Sequence, residues 1–225
     1  MENIFDFFIS RGCIRIHANP IFEHKWTTEE AKIYYKILIK LADRLLDSKN
    51  VYSSLFRTFI CTPLSSRDTS NWCGGTSAML AFDPDGNAYP CLRYMASSLP
   101  PERPPIIIGN TDGIYNTPEY KAIYDDMKAV TRQSQSPQEC LDCQVAAGCA
   151  WCSAANYSIL GSYNKRLTHI CWMHRALSLA NVYYWNLFYR HQKLDKRQPL
   201  YLSRDIATQI ISNEEYDELL ELAYP

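Results

Sequence analysis

Between residues 27 and 48 apolar side chains recur every three to four positions, with Ile33, Ile37, Leu38, Leu41 and Leu45 on one side and charged residues between them. That period is helical. Thr27, with Glu30 three residues later, forms a capping box that fixes the start of the helix. The flanking segments follow another rhythm. Residues 13–22, CIRIHANPIF, carry β-branched Ile14 and Ile16 at alternate positions before Pro20, as a short strand does. Residues 55–61, LFRTFIC, make a second apolar run that Pro63 stops. Residues 1–65 therefore predict a β-α-β unit, the building block of parallel α/β folds. Such a unit alone leaves its sheet edges unpaired and its core half covered, so it is expected to aggregate or to bind a partner tightly.

From Ser65 the texture turns to Ser, Asp, Asn and Gly, and a second module is expected over 66–192. MLAF (79–82), a turn built on Pro84 and Gly86, and AYPCLRY read as a β-hairpin with Gly86 at positive φ. The hairpin would bring Cys91 near the residues just after Cys73, on neighbouring strands. Residues 100–105 are a proline-rich loop, Ile106–Ile108 a short strand, and Thr117-Pro118 opens a helix to about Val130. Gln133–Gln138 reads as a polar loop. A long helix with an aromatic stripe, including Tyr183, Tyr184, Trp185 and Phe188, runs from about Trp172 to Gln192. Residues 193–225 form a helical tail, with Ser212 and Glu215 capping its acidic last helix.

Composition narrows the class. Hydrophobic residues at 47% and aromatics at 13% suffice for a core, and a net charge of −1 speaks against a nucleic-acid-binding surface. No apolar run approaches the ~18 residues of a membrane span. The stretch MENIFDFFISRGCIR lacks the features of a secretory signal, so a cytoplasmic setting is expected, where thiols stay reduced.

The cysteines change the picture most. Cys140, Cys143, Cys149 and Cys152 form two C-x2-C pairs separated by five residues, and Cys171 follows after eighteen. Upstream, Cys73 is followed by twelve residues, Gly86, four residues and Cys91. A C-x2-C pair lets one turn aim two thiolates at a metal or cluster. Zinc ribbons commonly separate their pairs by about 15–20 residues, so these crowded pairs suit two interleaved centres better than one.

Taken together, Cys73-x12-Gly86-x4-Cys91, then Cys140-x2-Cys143-x5-Cys149-x2-Cys152, then Cys171 resembles the SPASM domain of radical S-adenosylmethionine enzymes that modify peptides and proteins. FDPDGNAYPC and IIIGNTDG are similar to its hairpin and the following strand. The gap between Cys149 and Cys152 is two residues, where that family usually has three. ANPIFE and the helix bearing Tyr34, Tyr35 and Leu41-Ala42-Asp43 resemble the end of the partial barrel in thioether-forming maturases. The fold implied is an α/β remnant of a partial TIM barrel (β-α-β), followed by an irregular α+β SPASM-type iron–sulfur domain with a β-hairpin and C-terminal helices.

The resemblance implies two auxiliary 4Fe–4S clusters. One would be held by Cys140, Cys143, Cys149 and Cys171, the other by Cys73, Cys91 and Cys152. The fourth ligand of the latter is Cys61, a non-cysteine side chain, or a substrate thiolate at an open iron. In the complete enzyme, a barrel cluster cleaves S-adenosylmethionine, and the radical so formed removes hydrogen from a precursor peptide whose cysteine then forms a thioether. The catalytic C-x3-C-x2-C triplet does not occur here, and only Cys13 and Cys61 remain outside the pattern. This chain is thus expected to be the C-terminal portion of a maturase, inactive without a missing or separate barrel. Its partners would be that barrel and a cysteine-containing precursor peptide. Two rivals are a zinc-binding structural or interaction module and an electron-transfer subunit for a separate barrel chain. The histidines, His17, His24, His169, His174 and His191, form no pair at metal spacing, though His169 lies near Cys171.

Overall fold

The computed structural model describes residues 2–48, 51–65, 73–76, 78–149, 151–193 and 199–224. The polar stretch 66–72 at the expected module boundary, and 194–198 at the start of the expected tail, lie outside the described residues. The chain forms two compact units. The first comprises Met1–Leu64, Asp142–Cys149 and His169–Pro225, and the second Ser65–Leu141 and Ala150–Thr168.

In the first unit, helix α1 (Glu2–Ser10) leads to strand β1 (Arg15–Ile16), helix α2 (Thr28–Asp47) and strand β2 (Tyr52–Ser53). β1 and β2 pair in parallel, with Arg15 opposite Tyr52 and Ile16 opposite Ser53. The β-α-β connection is present, but its second strand lies earlier than the sequence suggests. Residues 55–61 are not a strand; Thr58–Cys61 is a 3-10 turn. The cause is distant in sequence. Helix α7 (Cys171–His191) presents buried Asn181, which accepts from Arg57 N at 2.7 Å and donates to Leu55 O at 2.8 Å. Ser178 Oγ donates to Ile60 O at 3.2 Å. Backbone groups that would have formed a ladder are thus claimed by helix side chains.

Helix α2 starts at the Thr27–Glu30 capping box and packs on α7. Its buried face is Ala31, Tyr34, Tyr35, Leu38, Leu41, Ala42 and Leu45. Ile33, expected on that face, is 60% exposed and instead lines an apolar groove with Ile21, Trp26 and Ile37. The C-terminal segment belongs to the same core. Leu202, Ile210, Ile211, Tyr216 and Leu219, from the region of α8 (Arg204–Ala207) and α9 (Asn213–Ala223), pack with α2 and α7. Ser212 and Glu215 cap α9 as expected. The sequence grouped 66–192 as one module and 193–225 as a tail; the structure puts α7 and the described tail with residues 1–64.

The second unit is built on an antiparallel sheet in the order β3 (Ala81–Phe82), β4 (Asn87–Tyr89), β5 (Gly109–Asn110), β6 (Gly113–Ile114). The strand expected at 106–108 falls at Gly109–Asn110, although Ile108 N still donates to Ala88 O at 2.8 Å. Helix α3 (Pro118–Lys128) begins at Thr117, whose hydroxyl accepts from Tyr120 N. The expected polar loop at 133–138 instead holds short helix α4 (Arg132–Gln135), and α5 (Gln138–Leu141) follows it. Gln135 is buried because Asn156 of helix α6 (Ser153–Leu160) donates to its side chain and Arg166 N donates to its carbonyl. Ala88, Cys91, Tyr94, Ile106, Ile108, Met127 and Ala154 form this unit's core.

Candidate metal centre

The site begins with a turn. Gly86 has φ +84°, a region that costs glycine nothing, and its N–H donates to Asp83 O at 3.0 Å. The Asp83 carboxylate accepts from Tyr89 Oη at 2.6 Å and from Asn87 N and Nδ2 at 2.9 Å. The Tyr89 hydroxyl, followed by Asn87, holds the Asp83 carboxyl below its ordinary range. Burial and that same contact push the Tyr89 phenol up to about 12. The hairpin is thus pinned by its own side chains, and β4 delivers Cys91 through Pro90 into the core.

Two further thiols meet Cys91. Residues Gly74–Thr76 form a 3-10 turn rather than a strand, and this turn contacts α6. A Cβ added to Gly75 would stand 3.3 Å from Cys91 Sγ and 3.6 Å from Cys73 Sγ, so both sulfurs flank this buried glycine. Cys152 caps α6, its sulfur accepting from Ala155 N at 3.5 Å. The next residue, Ser153, places Oγ 3.4 Å from Cys73 Sγ. Burial raises the Cys91 thiol, and the neighbouring Cys152 and Cys73 sulfurs raise it further. As thiolates these three sulfurs would repel one another, and a cationic metal centre would offset that repulsion.

The residues fit a thiolate-bound group. The donors are soft sulfur, which zinc and iron–sulfur clusters both accept. Gly75 has no side chain to crowd them. Tyr94, three residues after Cys91, is fully buried, with its Oη lacking a hydrogen-bond partner. Burial and then the three nearby sulfurs push its phenol up, against a lowering by the adjacent Ser153. An orphaned buried hydroxyl costs about 1–3 kcal/mol, which a sulfur-rich acceptor would recover.

The remaining cysteines fall in both units. Cys140, in α5, belongs to the second unit; Cys143, Cys149 and Cys171 belong to the first. The loop carrying Cys143 and Cys149 is folded by bonds from Ala146 N to Cys143 O and from Cys149 N to Ala146 O. Ala147 N donates to Thr62 O, and Gly148 approaches Ile60 so closely that a Cβ would lie 2.1 Å from Ile60 Cα. Cys171 is the first residue of α7, and His174 Nε2 one turn later lies 2.8 Å from Val145 O in the same loop. Cys61 sits in the core of the first unit, where burial pushes its thiol up to about 12. Cys13 is half-buried after α1, its N–H donating to Phe8 O. His169 Nε2 is 2.7 Å from Phe22 O.

Among the described residues no three His, Cys, Asp or Glu side chains form a group able to hold a single metal ion. No helix among them is long and apolar enough to cross a membrane. Sequence spacing marked Cys73, Cys91 and Cys152, but gave no sign of Gly75, Ser153 or Tyr94 as their neighbours. No family model, no curated protein and no solved structure matches the chain.

Proposed function

We propose that this chain is the auxiliary iron–sulfur portion of a radical S-adenosylmethionine enzyme that modifies a ribosomally made, cysteine-containing peptide. The observation that carries the reading is the approach of Cys73 and Cys152 to Cys91 within the second unit, with Cys73 and Cys91 flanking Gly75. These residues are separated by up to seventy-nine positions in the chain, yet Cys91 and Cys152 pack in one core and Cys73 stands beside Ser153, the residue next to Cys152. The pinned hairpin and the α6 cap supply two of the thiols, the Gly74–Thr76 turn the third.

Cys140, Cys143, Cys149 and Cys171 are assigned to a second cluster on the cysteine spacing. When bound, such clusters supply one-electron transfer and a site for a substrate thiolate. The protein's part is to hold the thiolates, exclude water and orient hydrogen bonds toward the sulfurs. Cleavage of S-adenosylmethionine is assigned to a barrel outside these residues, because no C-x3-C-x2-C triplet occurs in them. The parallel β1-α2-β2 unit suits the end of such a barrel.

Iron, sulfide and zinc content after anaerobic reconstitution tests the reading. About eight iron and eight sulfide per chain, with the broad brown absorption of thiolate-bound clusters, are expected. Zinc with no iron would overturn it.

A further inference from the structure

Beside the three thiols the second unit buries two hydroxyls. Tyr94 and Ser153 are both 0% exposed. Ser153 Oγ is 3.4 Å from Cys73 Sγ. Tyr94 shares the core with Cys91, Ala154 and Cys152, and its Oη has no hydrogen-bond partner. The ring is held firmly. Tyr94 N donates to Cys91 O at 3.1 Å, its carbonyl accepts from Ile106 N at 3.2 Å, and its ring lies 5.9 Å from that of Tyr157. A phenylalanine would fill the same space without an unsatisfied polar atom. A buried tyrosine normally finds a partner for its hydroxyl, and the groups that act on this one are the Ser153 side chain and then the sulfurs of Cys73, Cys91 and Cys152.

We infer that Tyr94 donates its hydroxyl hydrogen to a sulfur of the iron–sulfur cluster held by Cys73, Cys91 and Cys152, while Ser153 donates to Cys73, and that the two together set the reduction potential of that centre. The inference rests on the iron–sulfur reading above. A one-electron reduction adds negative charge that spreads onto the sulfurs, so a hydrogen bond stabilises the reduced form more than the oxidised one. Each hydroxyl therefore raises the potential. Tyr94 is a positioning and tuning residue here, not a ligand, and the cluster loads without it.

The experiment is a spectroscopically monitored redox titration of the reconstituted full chain, beside Tyr94→Phe, Ser153→Ala and Cys91→Ala. The Cys91→Ala variant identifies this centre as the reduction wave that disappears. Tyr94→Phe is expected to keep wild-type iron and sulfide and to move that wave alone to a more negative midpoint. Ser153→Ala is expected to move it the same way, and serves if Tyr94→Phe does not fold. An unchanged midpoint in iron-loaded variants would overturn the inference while leaving the iron–sulfur reading standing. Loss of this cluster's iron in Tyr94→Phe would also overturn it, by making the residue structural or a ligand. A wild-type chain that takes up zinc and no iron would overturn the reading and the inference with it.

Discussion

At Gly75 the difference between a hydrogen and a methyl group decides whether the Cys91 and Cys73 sulfurs have room. A Cβ there would press on Cys91 Sγ at 3.3 Å, tighter than ordinary van der Waals contact, while the Cys91 side chain is itself held in the core. Gly75→Ala is expected to lower iron uptake from about eight toward about four per chain, because only the three-thiol centre is touched; iron and sulfide assay checks it. Cys61 predicts the opposite pattern. It packs in the core of the first unit, whereas Cys73, Cys91 and Cys152 belong to the second. Cys61→Ala is expected to cost on the order of 1 kcal/mol in chemical denaturation and to leave iron content unchanged. Loss of one cluster would instead make Cys61 the fourth ligand. Cysteine spacing is legible in a sequence because thiols are rare. Tyr94 and Ser153 were not, since a tyrosine three residues after a cysteine and a serine directly after one look like ordinary core and cap residues.

The elements read from sequence are those whose ends are written locally. The capping boxes at Thr27 and Ser212 and the Thr117-Pro118 start each complete their bonds within three residues, and all three helices begin where expected. The 55–61 segment shows the limit: its conformation is set by Asn181, more than a hundred residues away. Asn181→Ala would remove the partners of Arg57 N and Leu55 O together, a loss on the order of 3 kcal/mol that urea unfolding would register. Ile33 went to the wrong face for a related reason, since α2 carries one apolar face toward α7 and another into the groove with Trp26 and Ile21. Acid should act at the start of α2. The Glu30 carboxyl is lowered from its ordinary 4.5, first by the Thr27 backbone N–H and then by His24 and the Thr27 hydroxyl. A lowered folded value means that stability is present above pH 4.5 and is lost as pH falls through the folded value. Glu30→Gln, which keeps a capping side chain, is expected to flatten that acid limb in a pH series of melting temperatures.

On the scale of the whole chain, the sequence order of segments is a poor guide to which of them share a core. Residues 1–64, 142–149 and 169–225 make one unit, because α7 supplies the surface that α2 must bury and the C-terminal segment closes over both. From its pattern the acidic last helix of the tail reads as a solvated helix with one packed face. Yet Leu202, Ile210, Ile211, Tyr216 and Leu219 are each at least nine-tenths buried in that core. Further ties bind the segment: Tyr216 Oη donates to Leu202 O, and the Asn186 side chain of α7 exchanges two bonds with Leu200. At about 1.5–3 kcal/mol for each buried large side chain, this segment contributes as much as the ~5–15 kcal/mol by which a typical domain is stable. A chain ending at residue 198 is therefore expected to lose cooperative unfolding and to aggregate, not merely to melt a few degrees lower. Differential scanning calorimetry of the shortened and full chains checks it: an intact transition at an unchanged temperature would show that the C-terminal helices are an independent appendage.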